Sequence, residues 1–151
     1  MFRTLFLVVV AMSFLGCTGT RPPDIGVTDG RLADCPSTPN CVSSDADPTD
    51  EEHYIDALDA GNADDSAVWE AARAAVEALP RTEIITESDG YLYAESTSRM
   101  LRFVDDVELH WRPASRTIAV RSASRIGRSD FGVNRKRVEQ LRTLFKERLE
   151  N

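Results

Sequence analysis

The sequence predicts a two-layer α+β domain: a helix, a four-stranded antiparallel sheet and a C-terminal helix, preceded by an irregular disulfide-containing arm. Three observations point there. Two stretches carry apolar residues at helical spacing, four alternating apolar and polar runs lie between them, and a strong hairpin signal sits inside those runs.

The first helix starts after Asp64-Asp65, which supply an N-cap and negative charge where the helix dipole favours it. Val68, Ala72, Val76 and Leu79 form its apolar stripe, Trp69 widens it, and Pro80 ends it. Strands are expected over 82–88, 91–96, 100–112 and 117–123. Between the first two, Asp89-Gly90 tolerates the positive φ that both central positions of a type I′ turn require, so these strands pair as a hairpin. In the third, Val107, Leu109 and Trp111 alternate with Glu108, His110 and Arg112. That pattern buries one face and leaves the other wet, which makes His110 a solvated surface residue. Pro113-Ala114-Ser115 turns the chain into the fourth strand, where Ile118 and Val120 point inward. The closing helix, about 134–149, sets Val138, Leu141, Leu144, Phe145 and Leu149 against a charged outer side.

The N-terminus follows a different logic. After Arg3 the chain is apolar from Leu5 to Leu15, broken only by Ser13, and then reads Gly16-Cys17. A helix needs roughly 20 apolar residues to cross a bilayer, so this run is too short and reads as a signal peptide over residues 1–16. Leu15-Gly16-Cys17 resembles a bacterial lipobox, with Phe14 where such signals usually carry Leu; the other reading is ordinary secretory cleavage nearby. Cys17 would then be the acylated first residue of the mature chain, with palmitate-like chains as its membrane anchor. Thr18 is not the Asp of an inner-membrane retention signal, so an outer-membrane, periplasm-facing position is expected where a cell has two membranes.

The 151 residues carry a net charge of −7, unevenly spread. Residues 18–65 hold twelve acidic residues and two arginines, whereas residues 66–151 are slightly basic. The acidic part, rich in Asp, Pro, Gly, Ser and Thr, has little to bury. Residues 17–33 therefore read as a flexible lipidated tether and residues 34–150 as a single domain with one core. The arm over 31–62 is expected to be irregular and pinned by Tyr54, Ile55 and Leu58. Overall acidity argues against nucleic-acid binding. With Cys17 assigned to lipid, Cys35 and Cys41 form a disulfide candidate in an oxidising compartment, free thiols being the other reading. His53 and His110 show no ligand spacing, and neither a metal nor a cofactor is expected.

Two polar segments stand out. One surrounds Arg99, Asp105 and Asp106; the other, 121–137, reads RSASRIGRSDFGVNRKR and holds six basic residues and one acid. Arg121, Ser124 and Arg125, then Ser129, Asp130, Asn134 and Arg135, border a loop at a helix N-terminus, a setting that suits a phosphate, a carboxylate or an acidic partner. The competing reading pairs the arginines with Asp105, Asp106 and Asp130 and leaves Ser129, Asp130 or Asn134 as a helix cap. Of the three arginines, Arg121 is expected to be the strut and Arg125 and Arg135 the ligand contacts. No nucleophile elbow, phosphate-binding loop or paired-histidine motif occurs. Asp105 and Asp106 are adjacent on a strand and should face opposite sides.

The runs CPSTPNCVSS at 35–44, FVDDVEL at 103–109 and RSASRIGRSDFGVNRKRVEQLR at 121–142 resemble, in order, the bacterial and plastid family called domain of unknown function 1499. The resemblance implies that the cysteine loop and the arginine-rich loop belong to one domain; it implies no activity, substrate or catalytic residue. Three functions remain open: a non-enzymatic envelope binding module for an anionic ligand or protein partner, a hydrolase or transferase on an envelope component using Asp105 or Asp106, and a purely structural lipoprotein.

Overall fold

The computed structural model describes residues 19–150; the signal peptide and Cys17 lie outside them. The chain forms β1 (Val27–Thr28), β2 (Arg31–Leu32), β3 (Cys41–Ser43), β4 (Leu58–Asp59), α1 (Asp65–Glu77), β5 (Thr82–Ser88), β6 (Tyr91–Thr97), β7 (Val104–Arg112), β8 (Thr117–Ser124) and α2 (Val133–Leu149). The expected α+β class holds, with antiparallel sheets and two helices. No helix among the described residues is long and apolar enough to cross a membrane.

The main sheet has six strands rather than four, in the order β3-β8-β7-β6-β5, with β4 also on β8. The two additions are the short β3 and β4, which pair with successive halves of β8, Val42 opposite Ser122 and Leu58 opposite Ile118. They come from the arm expected to be irregular. Runs of two or three residues carry no readable period, and the edge of β8 supplies their pairing. The Asp89-Gly90 hairpin forms as expected, both residues having positive φ, with Ser88 opposite Tyr91. The third strand begins later than expected, at Val104, because residues 98–103 close a loop: Ser98 N–H donates to Phe103 O, and Phe103 N–H to Ser98 Oγ.

One sheet face is apolar. Leu92 and Ala94 of β6, Val107 and Leu109 of β7, and Ile118 and Val120 of β8 meet Val68, Ala72 and Val76 of α1 and Val138, Leu141 and Phe145 of α2. The helical spacings placed these side chains on one stripe, and burial of each large one contributes roughly 1.5–3 kcal/mol. The other face is not wet. Residues 19–34, expected as a flexible tether, run along it as a strap that begins at Arg125 and Ile126 and passes Glu95, Glu108 and Arg112. Glu108, expected in solvent, is 0% exposed, and His110 is half-buried.

Cys35 and Cys41 are joined, with Cα atoms 5.6 Å apart. The closed loop presents Asn40, whose Nδ2 donates to Ser124 O (3.2 Å) and Gly127 O (2.9 Å). Replacing both cysteines with serine should lower stability by about 2 kcal/mol through the freed unfolded chain. Denaturant unfolding measures this, and unchanged stability would mean that Asn40 is held without the crosslink.

Candidate functional site

The residues singled out in the sequence fall into three groups. Period-two alternation sends Asp106, Glu108 and His110 to the strap side of β7 and Asp105 to the helix side. Antiparallel register then sets Glu95 opposite Asp106 and Glu108 opposite Arg121.

The strap-side group centres on Arg125. Its Nη2 donates to Asp106 Oδ1 (2.7 Å), Glu95 Oε1 (2.5 Å) and Tyr93 Oη (2.8 Å), and its Nε to Asp106 Oδ1 (3.0 Å). Arg21 of the strap donates to the same Glu95 oxygen at 2.6 Å. Burial opposes ionisation of Glu95, but the bonds from Arg21, Arg125 and Tyr93 outweigh it and lower its pKa to about 2. Next along the sheet, Glu108 accepts from Arg121 Nη1 (3.1 Å), Gly26 N–H (2.8 Å) and Tyr91 Oη (2.8 Å). Burial pushes the Glu108 carboxyl up, against those three donors. Burial likewise raises both phenols, Tyr91 and Tyr93. Farther still, Arg112 makes a two-pronged bond to Asp45 at 2.6 and 2.7 Å. Burial and neighbouring Arg112 lower the His110 pKa.

The helix-side group is a buried polar chain. Arg137 Nη2 donates to Asp105 Oδ2 (2.6 Å) and its Nη1 to Asn134 Oδ1 (2.5 Å) and Ser122 Oγ (3.0 Å). Asn134 Nδ2 donates to Asn40 O (3.0 Å) and Ser124 Oγ (2.9 Å). Asp130 caps α2, accepting from Gly132 and Asn134 N–H, and Gly132 takes the left-handed conformation at φ 76° that starts the helix. Arg135 reaches the carbonyls of Glu51 and Glu52 at 3.1–3.2 Å and so ties down the acidic arm.

The third group borders a groove of about 400 Å³ between loop 98–103 and loop 125–132. Arg99, Asp105, Ser124, Ser129 and Asp130 border it, but most of its wall is apolar, from Met100, Leu101, Phe103, Ile126, Phe131 and Val133. The structure thus gathers half of the expected site here, while Arg121, Arg125 and Asp106 are committed across the sheet. Asp105 and Asp106 diverge as expected. Sequence reasoning missed Asn40, Tyr93, Glu95, Glu108 and Arg137. A signal existed: Asp106, Glu108, His110 and Arg112 recur at every second position on one face of β7, a pattern read as solvated.

A family model, that of a protein of unknown function (DUF1499), matches residues 31–145. The chain belongs to this family. No curated protein matches it. The match to DUF1499 takes in the cysteine loop, the helix-side polar group, both groove loops and the strap-side group apart from Arg21 and Gly26, and begins within the strap at β2.

Two measurements test these roles. Arg121→Ala and Arg125→Ala each leave a buried carboxylate uncompensated and should cost on the order of 3–5 kcal/mol, whereas Arg135→Ala, which loses only bonds to exposed-segment carbonyls, should cost about 1 kcal/mol. Chemical denaturation of the three variants checks the ranking; equal small losses would mean that the strap face is solvated. The depressed Glu95 pKa gives stability that is complete above about 4.5 and is lost as pH falls through about 2. Thermal melts between pH 5 and pH 2 should therefore fall more steeply for the parent than for Glu95→Gln, and parallel curves would contradict the assignment.

Proposed function

We propose that this chain is an envelope lipoprotein, anchored through Cys17, whose DUF1499 domain is a non-enzymatic binding module. The observation that carries the reading is how the polar residues are used. Arg121 and Arg125 satisfy buried acids and Arg135 holds backbone carbonyls, so these three arginines do not converge on an anion. The open site is instead the groove between loops 98–103 and 125–132, with Arg99 at one wall and the side chains of Met100 and Phe131 in solvent. Apolar walls beside the exposed Arg99, with Asp105 already paired to Arg137 and Asp130 accepting from the N–H groups at the start of α2, suit an amphiphile whose anionic group meets Arg99, or an envelope partner that presents one. A concavity of this kind favours binding over the purely structural reading.

The hydrolase or transferase alternative draws less support. Asp105 and Asp106 face opposite sides of β7, and each is held by its own arginine, at 2.6 and 2.7 Å. They share no point at which one substrate atom meets both.

Cys17→Ser should release the protein from membranes or stall its processing, read by fractionation and intact mass; an unchanged membrane fraction with an unchanged mature mass overturns the anchor. Native mass spectrometry of protein purified from its own membranes tests the module. A retained anionic amphiphile or protein is expected, lost on Phe131→Ser with Met100→Ser.

A further inference from the structure

Among the described residues five large apolar side chains are exposed, and four of them belong to this one end of the sheet: Met100 (88%), Leu101 (64%), Phe131 (89%) and Val133 (46%). Single exposed apolar residues are ordinary, but a cluster on neighbouring loops is not. Phe131 is held outward in the left-handed backbone region at φ 55°, rare for an aromatic residue, just after Ser129 and Asp130, whose side chains accept from Phe131 and Gly132 N–H. Arg99, Arg102 and Arg128 lie on the same two loops, are exposed, and have no ion pair among the described residues.

The chain path adds an independent observation. The strap does not leave the domain: Gly19 rests on Arg125 and Ile126, so closely that an added Cβ would come within 2.8 Å of the Arg125 Cβ and 3.0 Å of Ile126. Ile126 lines the groove. Residue 17 stands two positions earlier, within about 7 Å of chain reach. An acylated Cys17, two residues before Gly19, would thus bring the bilayer to the end of the domain that carries Ile126 and the groove. The acids of the opposite end, Asp29, Asp59, Asp65 and Asp89, lie with the turns beside Arg112, Arg116 and Thr117, the length of the sheet away. The acidic turn at 47–52 is held by Arg135 at the start of α2, so loop 98–103, with Arg99 and Arg102, is the more basic side of this end.

We propose that this end of the domain docks flat on an anionic phospholipid bilayer, with Met100, Leu101 and Phe131 entering the acyl boundary and Arg99, Arg102 and Arg128 meeting headgroup phosphates. The proposal rests on the binding-module reading and names the partner of its groove. A lipid anchor gains from a second contact of this kind, apolar insertion plus basic attraction to anionic lipid.

The test uses the chain from residue 17 onward carrying Cys17→Ser, so that docking is read without acylation. Co-sedimentation with phosphatidylglycerol vesicles should exceed that with phosphatidylcholine vesicles at least tenfold and should fall on raising salt. Met100→Ser/Leu101→Ser/Phe131→Ser should weaken it at least tenfold while melting like the parent, since these side chains are in solvent. Arg99→Ala/Arg102→Ala/Arg128→Ala should remove the lipid preference. Equal or absent binding to both vesicles overturns the proposal, as does a parent that self-associates in sedimentation through the same three apolar residues. A co-purifying ligand found with no vesicle binding would leave the module standing and the bilayer docking refuted.

Discussion

The guanidinium of Arg125 lies where three strands, the N-terminal strap and the β8–α2 loop meet. Glu95 and Asp106 are directly opposed across β6 and β7, an arrangement of like charges that would work against this register on its own. Arg125 bonds both carboxylates and Tyr93, its side chain only 5% exposed, and Arg21 adds a second cation from above. The pair is weak support for net stability, because desolvating the ions costs about what their attraction returns. Its consequence is specificity. A slip of β6 against β7, or of the strap along the sheet, would leave two carboxylates buried without a cation, a penalty of several kcal/mol out of the ~5–15 kcal/mol typical of a domain.

That constraint explains why the sheet has two unlike covered faces. The helix side is closed by apolar area and tolerates small changes of side chain at modest cost. The strap side is closed by directed bonds: Gly26 N–H and Arg121 to Glu108, Arg112 to Asp45 and to Gly30 O, and Leu32 N–H to Asp45 Oδ2 (2.9 Å). Leu32 is the one buried apolar side chain the strap contributes. Three nitrogens on this face, His110 Nδ1, Arg112 Nε and Arg121 Nε, are buried without a bond, which marks where a polar lid fits less completely than an apolar one.

The same contrast decides what the sequence made legible. Both helices, the Asp89-Gly90 hairpin and the inward Val107, Leu109, Ile118 and Val120 follow from apolar periodicity, which reports burial against apolar neighbours. Strap residues such as Arg21 and Gly26 read as tether because that reasoning weighs apolar area alone, whereas their bonds depend on Glu95 and Glu108, more than seventy positions away. Glu108 and His110 were placed in solvent for the same reason. Asp105 and Asp106 were legible as diverging, since alternation on a strand needs no tertiary knowledge. Arg121 was legible as a strut, but Arg125, expected as a ligand contact, was not: it differs from Arg99 only in facing carboxylates that the cross-strand register brings to it. The short β3 and β4 lacked any period, and Asn40 gave no sign that the cysteine loop would brace Ser124, Gly127 and Asn134.

The bracing bears on how this domain tolerates an apolar end. Asn40, fixed beside the disulfide, bonds the start of the 125–132 loop, while Asn134 and Asp130 bond its close. Phe131 is therefore displayed by a loop whose two ends are pinned, and the core does not depend on where its ring goes. A net charge of −7 would seem to repel such a molecule from an anionic surface. Screening reduces that objection, because at physiological salt charges act over only ~8 Å, less than the length of the eight-residue strand β8 at about 3.3 Å per residue. Acids at the far turns are out of range when the loop end is in contact, and at that end Asp105 and Glu95 are already paired with arginines, which leaves Arg99, Arg102 and Arg128 to outweigh Glu83 and Asp130. In the proposed docking the charge of this end, rather than that of the whole protein, governs the contact.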